Sequence, residues 1–140
     1  MPFVAHDVDQ RMSKTALIVE DEIFVALDLE RILTDAGYTV CAIAADRESA
    51  LKVANQAAFA FVDINLRDGP SGPGIAREIA QAHGVKVVFV TANPAQIDGV
   101  PALGFVRKPF SEQSILAAAR LAAGETPAIA DDGLVLTPAQ

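Results

Sequence analysis

The tightest constraint in this chain is four residues long. Phe59, Ala60, Phe61 and Val62 carry no charge, and the run ends abruptly at Asp63. An uncharged stretch of that length suits a central strand covered on both faces. Asn65, Asp68, Gly69, Pro70, Ser71 and Gly72 follow as turn-forming chemistry. Asp63 is thereby delivered to the carboxyl end of a buried strand, where ligands of open α/β sheets bind. It is the first candidate functional residue.

The segments on either side alternate between two periods. Thr15–Val19 is a short β-type run ending in three acids, Glu20, Asp21 and Glu22. From Ile23 to Ala36 the spacing turns helical, with Val25, Leu29, Ile32, Leu33 and Ala36 on one stripe. Gly37 is placed to end that helix as a C-terminal cap. Tyr38–Ala44 predicts a second strand, and Asp46 caps a helix to about Gln56 with Ala50, Leu51 and Ala54 facing inward. The third strand is 58–62. Pro73 suits the first turn of a helix whose apolar face is Ile75, Ala76, Ile79 and Ala80, closed by His83–Gly84. Lys86–Val90 is a fourth strand ending in Thr91, and Leu103–Val106 a fifth, followed by Arg107, Lys108 and Pro109. Ser111 caps a last helix to about Ala123, with Ile115, Ala118, Ala119 and Ala122 as its stripe.

Strands alternating with helices in this way predict an α/β fold: a doubly wound, five-stranded parallel sheet with helices on both faces. The folded domain is expected over 14–123. A flexible arm, 1–13, precedes it, and a tail, 124–140, too short for an output domain, follows. Within the tail, Leu134–Leu136 either lies on the body or pairs with a partner.

Composition narrows the function classes. Among 140 residues, 51% are hydrophobic and 21% charged, as in a globular chain with a real core. A net charge of −7 disfavours direct binding to nucleic acid or to an anionic membrane surface, because phosphates call for Lys and Arg. No window reaches the ~18 apolar residues of a membrane span, and the first residues lack a signal peptide's apolar centre; the expected location is cytoplasmic. A single cysteine, Cys41, excludes an internal disulfide and reads as a small core residue. His6 and His83 stand outside any metal-ligand spacing.

In a doubly wound sheet the carboxyl ends of all parallel strands share one rim. That rim would gather Glu20 and Asp21, Asp63, Thr91 and Lys108: an acidic cluster, a hydroxyl and an ammonium. Carboxylates packed together resist shared ionisation. A hard divalent cation relieves this and prefers oxygen ligands; Mg²⁺ suits one or two carboxylates plus water, and Mn²⁺ or Ca²⁺ could substitute. Asp21 and Asp63 are the expected direct ligands, with the Asn65 backbone carbonyl and, through water, Glu20. Beside such a cation a carboxylate oxygen of Asp63 can attack phosphorus in line. The transferred group's oxygens would go to the metal, to Lys108, and to Thr91 and neighbouring backbone N–H groups such as that of Ala92.

The motifs "LIVEDE", "VDINL", "VFVTAN" and "GFVRKPF", in this order, resemble the receiver domain of two-component response regulators, over about residues 14–123. The resemblance implies a flavodoxin-like (βα)5 fold and a signalling protein rather than an enzyme, catalysing only its own phosphorylation and dephosphorylation. It implies that Asp63 accepts a phosphoryl group from a sensor histidine kinase or a phosphotransfer protein. Glu20 and Asp21 match the metal-binding acid pair, Thr91 the switch hydroxyl, Lys108 the phosphate-contacting lysine and Phe105 the switch aromatic, with an ordinary core ring as the other reading of Phe105. The Lys108–Pro109 bond would be cis, which an X–Pro bond permits.

One departure stands out. "ANPAQIDGVPALGFVR" between Thr91 and Lys108 is short for a full fourth helix, and Pro94, Gly99 and Pro101 break helix there. A stub or loop is expected, altering the face normally built from the fourth helix, fifth strand and fifth helix. Shortened receivers of this kind resemble stand-alone regulators encoded with certain sensor kinases of α-proteobacteria. Output would then be binding to an unknown downstream protein, or draining phosphate from a kinase; the Ala-rich last helix leaves room for a homodimer. A phosphatase would want a second Asp where Asn65 stands, and a flavin carrier a Ser/Thr/Gly-rich loop where the acids stand. The alternative is a receiver-like docking module that takes no phosphate.

Overall fold

The computed structural model describes residues 13–97, 99–125 and 134–136. Five strands run parallel: β1 (Thr15–Val19), β2 (Thr39–Ala44), β3 (Phe59–Val62), β4 (Lys86–Thr91) and β5 (Gly104–Arg107). Their order across the sheet is β2-β1-β3-β4-β5, so β3 is central. The chain winds outward to β2, then returns past β1 to build the other half; the reversal falls between β1 and β3. Crevices for ligands form at such a reversal.

Alternation along the strands explains the two-sided core. Leu17, Val19, Ala60, Val62, Val87 and Phe89 face one side, against Ala50, Ile75, Ala76 and Ile79 of α2 (Arg47–Val53) and α3 (Gly72–His83). Ala16, Ile18, Phe59, Phe61, Val88 and Val90 face the other. There they meet Leu29, Ile32 and Leu33 of α1 (Ile23–Asp35) and Ile115, Ala118 and Ala119 of α4 (Glu112–Ala122). Every residue of β3 is buried, as its lack of charge requires.

Helix ends follow the capping signals. The Asp46 side chain accepts the Ser49 N–H at 2.9 Å, and Ser111 with Ser114 forms a reciprocal capping box. Pro73 lies in the first turn of α3, and Gly84 ends it in the left-handed region at φ 67°. The stripe expected on α1 is shifted: Ala26 is buried, whereas Ala36 is exposed because the helix stops at Asp35 and the chain turns through Gly37. The helix expected to reach Gln56 is α-helical only to Val53 and tightens into a 3₁₀ turn over Ala54–Gln56.

Two features lie between β4 and the end of the chain. The β4–β5 crossover holds a 3₁₀ turn, Pro94–Ile97, and no α-helix among its described residues. The expected five-stranded sheet gains a sixth member, β6 (Leu134–Leu136), which pairs antiparallel with β5. Residues 126–133 and 137–140 of the tail, the arm over residues 1–12 and His6 lie outside the described residues. No helix among the described residues is long and apolar enough to cross a membrane.

Gly72 fixes the start of α3 against the loop that follows β3. Its N–H donates to the Ile64 carbonyl at 2.9 Å. A Cβ there would overlap the Asp63 carbonyl oxygen and come within 2.6 Å of Ile64 Cα. Gly74, two residues on, has nothing near the corresponding position. Gly72→Ala should therefore cost about 1–3 kcal/mol or more through forced backbone displacement. Gly74→Ala should stabilise by up to ~1 kcal/mol through helix propensity. Denaturant midpoints of the two variants, moving in opposite directions, check the contrast.

Candidate functional site

The strand ends place the predicted residues by backbone hydrogen bonds. Glu20 N–H donates to the Ala44 carbonyl at 2.8 Å, Asp63 N–H to Val19 at 2.9 Å and Lys108 N–H to Thr91 at 2.9 Å. Each of the three is the first residue past its strand, yet its amide still belongs to the sheet ladder. Their side chains leave the rim from an anchored backbone. Val19 pairs with Val62, so the acids after β1 and the acid after β3 emerge side by side.

Glu20, Asp21 and Asp63 each offer a carboxylate oxygen within 4.8 Å of the others. Glu20 is 2% exposed and Asp63 7%, whereas Asp21 faces solvent. The Lys108 ammonium reaches into this cluster, 2.9 Å from Asp63 Oδ2 and 2.8 Å from Glu20 Oε1. It hydrogen-bonds Asp63 Oδ2. Glu20 Oε1, although beside the same ammonium, has no partner in hydrogen-bond geometry, so that contact is ionic only. Asp63 Oδ1 accepts the Ile64 N–H at 2.7 Å and Glu20 Oε2 accepts the Glu22 N–H at 3.1 Å. Glu22 itself precedes α1 as its N-cap residue.

Burial has electrostatic consequences. Desolvation pushes the Glu20 carboxyl up to about 7; the Lys108 ammonium pulls the other way, and the Asp63 carboxylate pushes it further up. For Lys108, burial alone would lower the pKa, but Glu20 and Asp63 outweigh it and raise it. Lys108 is therefore an ammonium at neutral pH. One cation facing three carboxylates leaves excess negative charge on the rim. The oxygen-only donor set, with Glu20 Oε1 met only by the shared Lys108 ammonium, fits a hard divalent cation.

The remaining predicted residues lie on β4, on β5 and in the loops that follow β3 and β4. Thr91 ends β4, 1% exposed, and its hydroxyl accepts the Asn93 N–H at 2.9 Å. Ala92 is exposed and, with Lys108, lines a groove of about 520 Å³. Asn65 is exposed in the β3–α3 loop. Phe105, in the middle of β5, is partly buried on the α2/α3 side of the sheet. The Lys108–Pro109 peptide is cis.

Sequence reasoning overlooked two contributors. Gly72 holds the Asp63 loop by close backbone contact, and its only signal was a glycine at the start of an apolar-patterned helix. Phe24 is 85% exposed and lines the same groove as Lys108, beside exposed Ile23 and Leu27. Three large apolar residues outside the inward stripe of α1 were the available sign.

A family profile described as "Response regulator receiver domain" matches residues 16–120. The phyllosphere-induced regulator PhyR of Methylorubrum extorquens is 33% identical over 112 residues, 76% of this chain. The chain spans 42% of that relative's length. The solution structure of the Erythrobacter litoralis PhyR receiver domain superposes with a TM-score of 0.74 at 27% identity, covering 84% of this chain and 95% of that one. A Burkholderia pseudomallei response regulator, solved with a phosphorylated aspartic acid, calcium ion and citrate, gives 0.67 at 25% identity, covering 79% and 68%. Sheet order, site placement and these similarities lead to one conclusion: the chain belongs to the response regulator receiver domain family.

Proposed function

We propose that Asp63 accepts a phosphoryl group from a histidine kinase or phosphotransfer protein, with a divalent cation at the acidic cluster. The observation that carries this reading is the Asp63 carboxylate itself. It is nearly buried, bonded to one ammonium and crowded by Glu20 and Asp21. Mg²⁺ would be held by Asp21, Asp63 and the Asn65 carbonyl, with Glu20 acting through water. There it would screen the carboxylates and one phosphoryl oxygen. An Asp63 oxygen attacks phosphorus as the bond to the donor imidazole nitrogen breaks. Lys108 then follows the new charge, and Thr91 and the Ala92 N–H take up further phosphoryl oxygens. Phe105 answers the movement of Thr91 as the switch ring. The related Burkholderia protein, solved with a phosphorylated aspartic acid and calcium, supports the same chemistry.

Incubation with Mg²⁺ and acetyl phosphate should add one phosphoryl group by intact mass. Asp63→Asn should remove the adduct entirely, since an amide oxygen is far weaker as a nucleophile. An adduct persisting in Asp63→Asn would place the acceptor elsewhere, and an unmodified native protein would favour the docking-module alternative.

The pH dependence has a defined sign. The Glu20 carboxyl, raised from 4.5 to about 7, binds a proton more tightly in the folded state. Its contribution to stability is full below about pH 4.5 and is lost as pH rises through about 7, on the order of 1–3 kcal/mol. Metal-free protein should therefore melt at lower temperature at pH 8 than at pH 6. Because a cation and that proton compete, Mg²⁺ affinity should rise over the same interval, by at most about tenfold per pH unit. Thermal melts and metal titrations across this range provide the check.

A protein donor in this reading brings its phosphohistidine imidazole to the rim and needs a docking surface there, which a small donor such as acetyl phosphate does not. Phe24 lines the groove that holds Lys108, and Ile23 and Leu27 on the same helix are also exposed. Phe24→Ala should slow transfer from a cognate phosphohistidine protein by about 10–100-fold, as loss of an aromatic anchor does. Modification by acetyl phosphate should be unchanged. Equal slowing with both donors would assign Phe24 to the chemistry rather than to docking.

A further inference from the structure

β6 lies on the outer edge of β5, which would otherwise end the sheet. Among its described residues the β4–β5 crossover holds a 3₁₀ turn and no α-helix. Leu134, Val135 and Leu136 close that edge by antiparallel pairing with Val106, Phe105 and Gly104, and the segment also meets α4. It is three residues long, and Leu136 is 59% exposed. An edge strand this short, resting on two different elements, belongs to the least stable part of a fold. Relative movement of its two supports loosens it.

Its partners on β5 are tied to the functional rim. Phe105 pairs with Val135 on one side and with Phe89 on the other. Two residues beyond Val106 lies Lys108, whose N–H bonds the Thr91 carbonyl and whose ammonium bonds Asp63. A phosphoryl group on Asp63 takes the ammonium away from the Asp63 carboxylate and draws the Thr91 hydroxyl from Asn93 N–H, its present donor. Both changes act at the shared end of β4 and β5. α4, on the far side of the cis peptide, packs against α1 as well as against β4 and β5, and just past its end Glu125 accepts a 3.0 Å hydrogen bond from the Tyr38 hydroxyl.

We infer that Leu134–Leu136 is a latch on the β5 edge, attached while Asp63 is unmodified and released when Asp63 is phosphorylated. Release uncovers the backbone groups of Gly104–Val106. The latch rests on the phosphoryl-acceptor reading above, and its test separates the two.

Amide hydrogen exchange of the full chain is compared with Mg²⁺ alone and with Mg²⁺ plus beryllofluoride, a phosphoryl mimic. The expected result is slower exchange over Asp63–Leu66, with exchange at 104–106 and 134–136 accelerated ~5-fold or more. Slower exchange at the site with both strands unchanged would overturn the latch and leave the acceptor reading intact. No protection at Asp63–Leu66 would overturn the acceptor reading, and the latch with it. Linkage supplies a second measurement, because a site that releases the strand must be helped by a strand already released. Val135→Pro removes an N–H and strains the strand, and should tighten beryllofluoride binding by ~5-fold or more. Unchanged affinity in that variant, with 134–136 already exchanging fast, would likewise overturn the latch.

Discussion

Three carboxylates within 4.8 Å of one another is the arrangement on which the rest of this structure depends. Like charges at that separation repel, and side chains alone would swing apart. What prevents it is main-chain pairing: the amides of Glu20 and Asp63 are still part of the ladder when their side chains depart. The β1–β3 register then leaves the two acids no choice but adjacency. The sheet supplies the work of holding the charges together, and the apolar packing of both its faces supplies the sheet.

The three acids are not equivalent. Asp21 is solvated, Asp63 has the hydrogen bond of an ammonium and a backbone donor, and Glu20 is the most buried, sharing that ammonium through an ion pair. Desolvation of the buried Glu20 carboxyl outweighs the pull of the Lys108 ammonium and pushes it up to about 7. Lys108 offsets part of that cost while reaching two acids at once. Any cation or phosphoryl oxygen arriving at the rim competes for, or redirects, this one ammonium.

Much of this was legible in the sequence because its signals are local. Short apolar runs marked β1, β3 and β4, and the acids, hydroxyl and lysine at the strand ends fell on one rim once the sheet was parallel. Asp46, Ser111 and Gly84 announced helix ends through chemistry confined to a few residues. The features that were not legible depend on distant partners. Gly72 matters because of the Asp63 backbone beneath it, and β6 exists only where β5 offers an open edge. On α1, Val25, Leu29, Ile32 and Leu33 pack inward as the spacing indicated, but the helix stops at Asp35 and leaves Ala36 outside, while Ala26 is buried. Ile23, Phe24 and Leu27 were apolar without being interior, a distinction that periodicity does not draw.

The missing side chain at Gly72 has a mechanical consequence. Because α3 begins in van der Waals contact with the peptide joining Asp63 to Ile64, no compressible layer separates the reactive residue from the helix. A shift of a few tenths of an ångström in that peptide cannot be absorbed by a rotamer change, since there is no rotamer. It must appear as movement of the helix end, with the stiffness of backbone against backbone, and so the first turn of α3 works as a rigid follower of whatever happens at Asp63.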